Sequence, residues 1–245
     1  LKVIDNEINV GDIVDLSRKH RGRKILIVCN TIKRAVKLYH QLGWDEDNEV
    51  AFIREDSGEK GEPSESRTEQ NPGVHLLHSH FIKQDRSKKE EDIIEMGKKD
   101  SEESGVWIAT QIVEASLDID FDLLFTELSD LNGLFQRMGR CYRNRDLGDL
   151  PHNCFVFTRT CSGVGIFIDR EIHRLSKEAL SEVDGMVTEK QKMFMIEKLY
   201  TKEKLPDYYR EIKRVIDYVD RHSPWEISKK EAAKYFRNID TISII

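Results

Sequence analysis

Three arginines and a glutamine fall within the eight residues 136–143 (QRMGRCYR). Gly139 permits a close turn, so Arg140 and Arg143 are expected to project from one side at the start of a helix. Guanidinium groups held together present a fixed set of donors that matches phosphate oxygens. The predicted chemistry is stabilisation of the charge that develops on the γ-phosphate of a nucleoside triphosphate during hydrolysis.

A second polar segment, residues 108–122 (IATQIVEASLDIDFD), begins in the apolar run 106–110, which predicts a buried strand. In an open α/β sheet, ligands bind beyond the carboxyl ends of the strands, so the polar residues that follow are candidates for binding. A calcium loop is excluded, because counting from Asp118 places Leu123 and Ser129 where that loop needs glycine and glutamate.

In this order and spacing the two segments resemble motifs V and VI of superfamily 2 helicases. The amino-acid sequences of the two segments are most similar to the CRISPR-associated helicase–nuclease family of type I systems (the Cas-three family). The similarity is strongest over residues 24–158. The resemblance implies that Gln136, Arg140 and Arg143 face the γ-phosphate of ATP, and that Asp118 and Glu114 lie near the nucleotide. Arg137 is expected instead to form an ion pair within the lobe.

The same resemblance implies a set of contacts to the backbone of single-stranded DNA at the ends of predicted strands. The candidates are Asn30, Thr31, His78, Ser79, Thr110 and Gln111. His80 stands where the family usually has arginine, which removes one phosphate contact. The histidines at 75, 78 and 80 suggest a metal, but alternation along a strand would separate His75 from the other two, so we predict no metal site.

The elements that must position these residues alternate along the chain. Strands are predicted over residues 24–30, 74–79, 106–110, 122–128 and 153–158, with helices over 31–43 and 84–98. This alternation, with the resemblance, predicts an α/β fold: a RecA-like parallel sheet with helices on both faces, followed by a helical appendage. We place the second RecA-like lobe at residues 1–162 and the appendage, with helices over 166–180, 189–200 and 208–219, at residues 163–245. Residues 57–73 lack apolar side chains and predict a mobile loop.

The composition fits a globular protein with a strongly solvated surface: 38% of the 245 residues are hydrophobic, which allows a core, and 34% are charged. A net charge of −6 means that any nucleic-acid contact depends on local basic stripes. The four cysteines form no CxxC pair, which disfavours zinc and fits a reducing cytoplasm. The sequence contains no predicted membrane span and no signal peptide.

Some parts of a complete motor are missing from this sequence. There is no GxxxxGK[ST] phosphate loop and no acidic pair to hold magnesium, so ATP and Mg²⁺ are expected to be held mainly by a first lobe outside these residues. The family's HD nuclease signature is also missing, and the chain begins at Leu1 without methionine. We therefore expect a piece of a longer protein that is inactive alone.

The expected partners are single-stranded DNA, the first RecA-like lobe, an HD nuclease (fused or separate) and the CRISPR RNA-guided surveillance complex. Two other functions stay open at this point. The chain could be a lobe of another superfamily 2 motor, such as an RNA helicase or a restriction translocase. It could also be a non-catalytic docking module. The sequence does not decide translocation polarity or a preference for DNA over RNA.

Overall fold

Six short strands form a single, wholly parallel sheet in the order β1-β6-β5-β2-β4-β3. The computed structural model of the protein describes residues 1–20, 22–43, 73–114, 117–143, 145, 147–148, 150–221 and 228. The strands are β1 Lys2–Ile4, β2 Lys24–Val28, β3 Val74–Leu77, β4 Gly105–Ala109, β5 Leu123–Glu127 and β6 Cys154–Phe157. Every residue of β2, β4, β5 and β6 is buried, which is why these strands read as nearly unbroken apolar runs.

Seven helices connect or follow the strands in the described part of the chain. They are α1 Val10–Arg18, α2 Ile32–Gly43, α3 Lys83–Met96, α4 Leu131–Met138, α5 Arg170–Leu180, α6 Glu189–Leu199 and α7 Pro206–Arg221, with a single 3₁₀ turn at Gln111–Val113. None of these described helices is both long enough and apolar enough to cross a membrane. The α/β fold with a parallel RecA-like sheet is as predicted.

Helices cover both faces of the sheet because the chain crosses the sheet in two directions. From β1 through β2 to β3 it moves toward one side of the sheet, and from β3 through β4 and β5 to β6 it moves back. Crossovers between parallel strands are right-handed, so α1 and α2, which lead one way along the sheet, lie on one face. By the same rule the connections that return, which are α3, the described residues between β4 and β5, and α4, lie on the other face. Alternate strand residues such as Ile25, Ile108 and Phe125 join α1 and α2 in one buried cluster, and their neighbours, including Leu26 and Trp107, are equally buried.

The structure corrects several predicted boundaries. Strand β1 and helix α1 were not predicted, because three residues are too few to show an alternating pattern and β1 joins the sheet only by pairing with β6. The helix predicted over 166–180 begins at Arg170, after the Asp169 cap. Residues 166–168, which were predicted to begin this helix, instead belong to a turn. In that turn Gly163 and Gly165 have φ angles of +82° and +79°, a conformation that favours glycine.

The chain divides into two compact units, Leu1–Ile196 and Glu197–Ile245, and the first contains the whole sheet. The described part of the second contains the end of α6 and all of α7, whose sixteen residues include none that is buried. Apart from Gly73, the mobile loop predicted over 57–73 lies outside the described residues.

Candidate functional site

The predicted DNA contacts lie side by side at the carboxyl edge of the sheet. Val28, Ala109 and Leu77 are register partners across the neighbouring strands β2, β4 and β3, so the residues that follow them meet at one edge. The backbone N–H groups of Cys29 and Thr110 extend this pairing beyond the strands by donating to the carbonyls of Ala109 and Leu77, at 2.9 and 3.3 Å. The residues brought together are Asn30, Thr31, His78, Ser79, Thr110 and Gln111, which we call the strand-end row.

The members of the strand-end row differ in how much of each side chain can be reached. Ser79 is exposed, and Thr31 is half-buried while its Oγ1 accepts from the backbone N–H of Arg34 at 3.2 Å to cap α2. Thr110 is only 5% exposed. The ring of His78 stacks on Phe81 with centroids 4.3 Å apart, and burial lowers the pKa of this histidine. Neutral hydrogen-bonding groups, not cations, therefore make up this edge.

Asn30 is fully committed to contacts inside the lobe, although we expected it to contact DNA. Its N–H donates to Glu127 Oε2 at 2.7 Å, its Nδ2 donates to the Leu128 carbonyl at 3.0 Å, and its carbonyl accepts from Gln111 Nε2 at 2.8 Å. Its Oδ1 accepts from Arg137 Nη2 at 3.0 Å. The Asn30 carbonyl thus holds the Gln111 side chain, and with 1% of the residue exposed almost no surface of Asn30 is open to a phosphate.

Arg137 forms the expected ion pair and also connects three of the sequence segments. The side chain is completely buried, and Nε donates to Glu114 Oε1 at 2.8 Å. Nη1 donates to Thr126 Oγ1 and to the carbonyl of Glu127, both at 2.8 Å. Burial raises the pKa of Glu114, and the Arg137 charge opposes that rise. The prediction of an ion pair within the lobe is confirmed.

Sequence reasoning missed Glu127, which ends β5 and is 1% exposed. Besides the Asn30 N–H, its carboxylate accepts from Ser162 N at 2.8 Å and from Ser162 Oγ at 2.6 Å. The Arg34 guanidinium lies 3.5 Å away and also pairs with Glu7. The sequence signal that could have identified Glu127 is its place inside the apolar run DLLFTEL. A carboxylate in a buried strand requires hydrogen-bond or ion-pair partners.

Arg140 and Arg143 follow the end of a helix and do not begin one, which corrects the prediction. Helix α4 ends at Met138, and Gly139 caps it with φ −66°, a conformation that any residue can adopt. The chain leaves the helix because Phe121 and Cys141 form a bridge: Phe121 N donates to the Arg140 carbonyl at 2.9 Å, and Tyr142 N donates to the Phe121 carbonyl at 3.1 Å. Tyr142, with φ +53°, makes the turn instead.

Both arginines are held by the segment that resembles motif V. Arg140 Nη1 donates to the Leu117 carbonyl at 2.7 Å, and Nη2 donates to the Glu114 carbonyl. Burial, and after it the charge of Arg143, lowers the pKa of Arg140. Arg143 pairs with Asp118, whose side chain is 93% exposed. We call Arg140, Arg143 and Asp118 the arginine cluster.

Arg143 and Asp118 of the arginine cluster line an open groove of about 610 Å³, together with the bases Lys98 and Lys99 and the acids Glu95, Asp100 and Asp120. Gln136 is exposed on α4, in the turn that precedes Gly139. The groove is lined by side chains of both signs, and among them the Arg143 guanidinium is a donor that suits the oxygens of an anionic ligand. In the described residues no group of three or more histidine, cysteine or acidic side chains could hold a metal ion. His75 stacks on Trp107, and the rings of His78 and His80 lie 6.2 Å apart.

Two segments join the strand-end row to the arginine cluster. One segment, of which residues 111–114 and 117–122 are described, leads from the carboxyl end of β4 to the start of β5, and α4 leads from the carboxyl end of β5 to Gly139. The pair of Glu114 and Arg137 ties these segments together halfway, and Arg140 bonds the Glu114 carbonyl. The candidate nucleic-acid and nucleotide residues therefore lie at opposite ends of one connected unit.

A parallel RecA-like sheet with this arrangement of strand ends and arginines defines the class of protein as a helicase lobe. Residues 21–146 match the family model described as CRISPR-associated nuclease/helicase Cas3, C-terminal. The chain belongs to this family.

Individual relatives agree with the family model. The chain is 28% identical to the CRISPR-associated nuclease/helicase Cas3 of Methanothermobacter thermautotrophicus over 97% of its own length and 26% of the relative. The solved structure of T. fusca Cas3 with ATP matches 90% of this chain and 26% of that one with a TM-score of 0.58 at 19% identity. A chain of a CRISPR RNA-guided surveillance complex, pre-nicking, matches with a TM-score of 0.57 at 19% identity, covering 90% of this chain and 27% of that one. The chain thus spans about a quarter of the length of these relatives.

Proposed function

We propose that the chain is the C-terminal RecA-like lobe of an ATP-dependent helicase that translocates on single-stranded DNA during type I CRISPR interference, an antiviral defence. The observation that carries the proposal is the chain of hydrogen bonds that connects the two candidate sites through Glu114 and Arg137. Glu114 accepts from Arg137, which contacts the strand-end row, and from Arg140 in the arginine cluster. A lobe that converts nucleotide hydrolysis into movement on a strand needs such a connection.

At the nucleotide, the proposed work of this lobe is electrostatic. Arg140, Arg143 and Gln136 would donate to the γ-phosphate oxygens, where charge develops in the transition state. Asp118 is almost fully exposed, so its pair with Arg143 is weak and a phosphate can replace the carboxylate as the acceptor. These donors fit a triphosphate but not a metal ion, so Mg²⁺ and most phosphate contacts belong to the first lobe in this proposal. ATP bound between the lobes supplies the phosphoryl group that water attacks.

At the strand-end row, the proposed contacts hold the backbone of single-stranded DNA without reading bases. Ser79, Thr31 and the Thr110 segment offer hydroxyl and N–H donors, and His78 is favoured in its neutral form because burial lowers its pKa. Gln111 is oriented by the Asn30 carbonyl. Contacts of this type position a strand and are indifferent to its sequence.

The proposed partners are the first RecA-like lobe, an HD nuclease (fused or separate) and the RNA-guided surveillance complex. The similarity to a chain of such a complex supports the last of these. The proposal places the protein in the cytoplasm, where the four unpaired cysteines would stay reduced.

The test is ATP turnover in the full-length protein with Arg140 or Arg143 replaced by alanine. We expect a loss of about 10³-fold for each, which is the low end for arginine fingers. Arg143→Lys should restore little, because lysine lacks the planar fork. The matched control is Arg174→Ala, which removes an exposed, paired arginine on α5 outside both candidate sites. Unchanged turnover in the Arg140 and Arg143 variants would remove the basis of the assignment.

The two other functions from the sequence are separated by the same preparation. A non-catalytic docking module has no use for a polar network that joins two sites, and it would show no dependence on either arginine. An RNA helicase would be stimulated by single-stranded RNA more than by DNA. We expect stimulation by single-stranded DNA, with loss of that stimulation when the strand-end row is altered.

A further inference from the structure

A compact turn at residues 163–168 exposes two large apolar side chains beside the carboxyl edge of the sheet. Ile166 is 84% exposed and Phe167 is 57% exposed, although both belong to the sheet-containing unit. Among the described residues no other aromatic ring stacks on Phe167. Exposing apolar side chains to water is unfavourable, and an exposed apolar patch marks a surface that a ligand can cover.

The turn is rigid. The Gly163 carbonyl accepts from the N–H groups of Ile166, Phe167 and Ile168, each at 3.1 Å, and Gly165 N donates to the Ile168 carbonyl at 2.8 Å. The Phe167 ring rests against Gly163, where a Cβ atom would lie only 2.3 Å from its Cζ. The tip of the ring therefore packs against the glycine backbone, while the residue as a whole remains 57% exposed.

The root of the turn is fixed to the strand-end row. Ser162 donates through both N and Oγ to the Glu127 carboxylate, and the same carboxylate accepts from the Asn30 N–H. Strand β6, which precedes the turn, lies two strands from β2 in the sheet, or about 10 Å between strand axes. Only a few nucleotides are needed to cover that distance.

A cation accompanies the ring. Arg170 is exposed, and a Cβ atom on Gly165 would lie 2.4 Å from its Nε, so the arginine side chain lies against the turn. Within the described part of the chain, Arg170 forms no ion pair with an acidic side chain. An exposed ring next to an unpaired guanidinium is the combination that binds unpaired bases and their phosphates in single-strand binding proteins.

We infer that Phe167, supported by Ile166, is a stacking platform for an unpaired base of the strand held by the strand-end row, with Arg170 near a flanking phosphate. The inference rests on the proposed function, since it assumes that the row holds a single strand. Stacking on one aromatic ring tolerates every base because each has a π-face. The platform therefore adds affinity for bases without adding sequence preference.

The experiment measures fluorescence anisotropy of the full-length protein with an oligo-dT strand and with an abasic strand of equal length. We expect Phe167→Ala to weaken oligo-dT binding by about 5- to 150-fold, the range for loss of one base stack. Binding of the abasic strand should change little, so the preference for the base-bearing strand falls. Phe167→Trp should restore that preference.

Met186→Ala is the matched control, because Met186 is also an exposed apolar residue, at 80% exposure. It lies away from the strand-end row, since the preceding Gly185 donates its N–H to the Leu1 carbonyl at the amino end of β1. Equal affinities of Phe167→Ala and the unaltered protein for oligo-dT would overturn the inference. So would an equal loss of affinity for both strands, which would show that the turn packs against another part of the protein. Thr110→Ala distinguishes a failure of the stacking platform from a failure of the proposed function. If Thr110→Ala weakens strand binding while Phe167→Ala does not, the platform is wrong and the proposed function stands.

Discussion

Replacing Arg137 by alanine should destabilise the lobe far more than replacing either arginine of the arginine cluster. The Arg137 side chain is completely buried and donates to Glu114, Thr126, Asn30 and the Glu127 carbonyl, at 2.8 to 3.0 Å. Its removal leaves a carboxylate that is only 16% exposed without its cation, and it removes a donor from three other acceptors. Breaking a buried pair in this way costs about 3–5 kcal/mol.

The assay is thermal unfolding of the 245-residue chain. For a domain of this size each kcal/mol shifts Tm by about 2–4 °C, so Arg137→Ala should lower Tm by about 10 °C. The matched control is Arg143→Ala, because that side chain is 44% exposed and pairs with an exposed carboxylate, an interaction worth about 0–1 kcal/mol. Tm values for the two variants within about 2 °C of each other would refute the buried-network reasoning.

The pH dependence of the same variant tests the role of Glu114. Burial raises the pKa of Glu114 in the folded state, and Arg137→Ala removes the charge that opposes this rise. Between the unfolded and folded pKa values the folded state binds more protons, so stability falls as the pH rises through that window. The Tm deficit of Arg137→Ala should therefore be smaller near about pH 5 than near about pH 7.5. A deficit that grows toward acid would contradict this assignment of the buried charge.

Two further predictions concern activity. The chain alone should neither hydrolyse ATP nor bind single strands tightly, with a Kd at or above about 10⁻⁴ M, because it carries only half of each proposed site and its strand-end row offers neutral donors. Phosphate-release and anisotropy assays check this, and tight binding would favour the docking module. In the full-length protein, Thr110→Ala should weaken strand binding and reduce DNA-stimulated turnover while leaving basal turnover intact, which steady-state ATPase assays with and without DNA measure.

The sequence alone predicted the main elements of the sheet and the segments that carry the candidate site. Strands β2 to β6 are short apolar runs bounded by charged or turn-forming residues, because a strand covered on both faces must be apolar along its length. Helix α2 was predicted to begin after Thr31 and end at Gly43, as it does, because capping and glycine termination depend on local chemistry. The ion pair of Arg137 was also expected from its motif.

Tertiary structure decided what no local pattern contains. β1 is three residues long and exists through its pairing with β6, about 150 positions later in the chain. The pairing of Phe121 with Cys141 places Arg140 and Arg143 after a helix and not at its start. Asn30, which we expected to contact DNA, is buried with four hydrogen-bond partners inside the lobe. The Glu127 carboxylate accepts from Asn30 and Ser162 only because β5, β2 and the segment around Ser162 pack together at the carboxyl edge of the sheet. Sequence periodicity specifies which residues are buried, whereas a buried polar group finds its partner only when distant segments pack together.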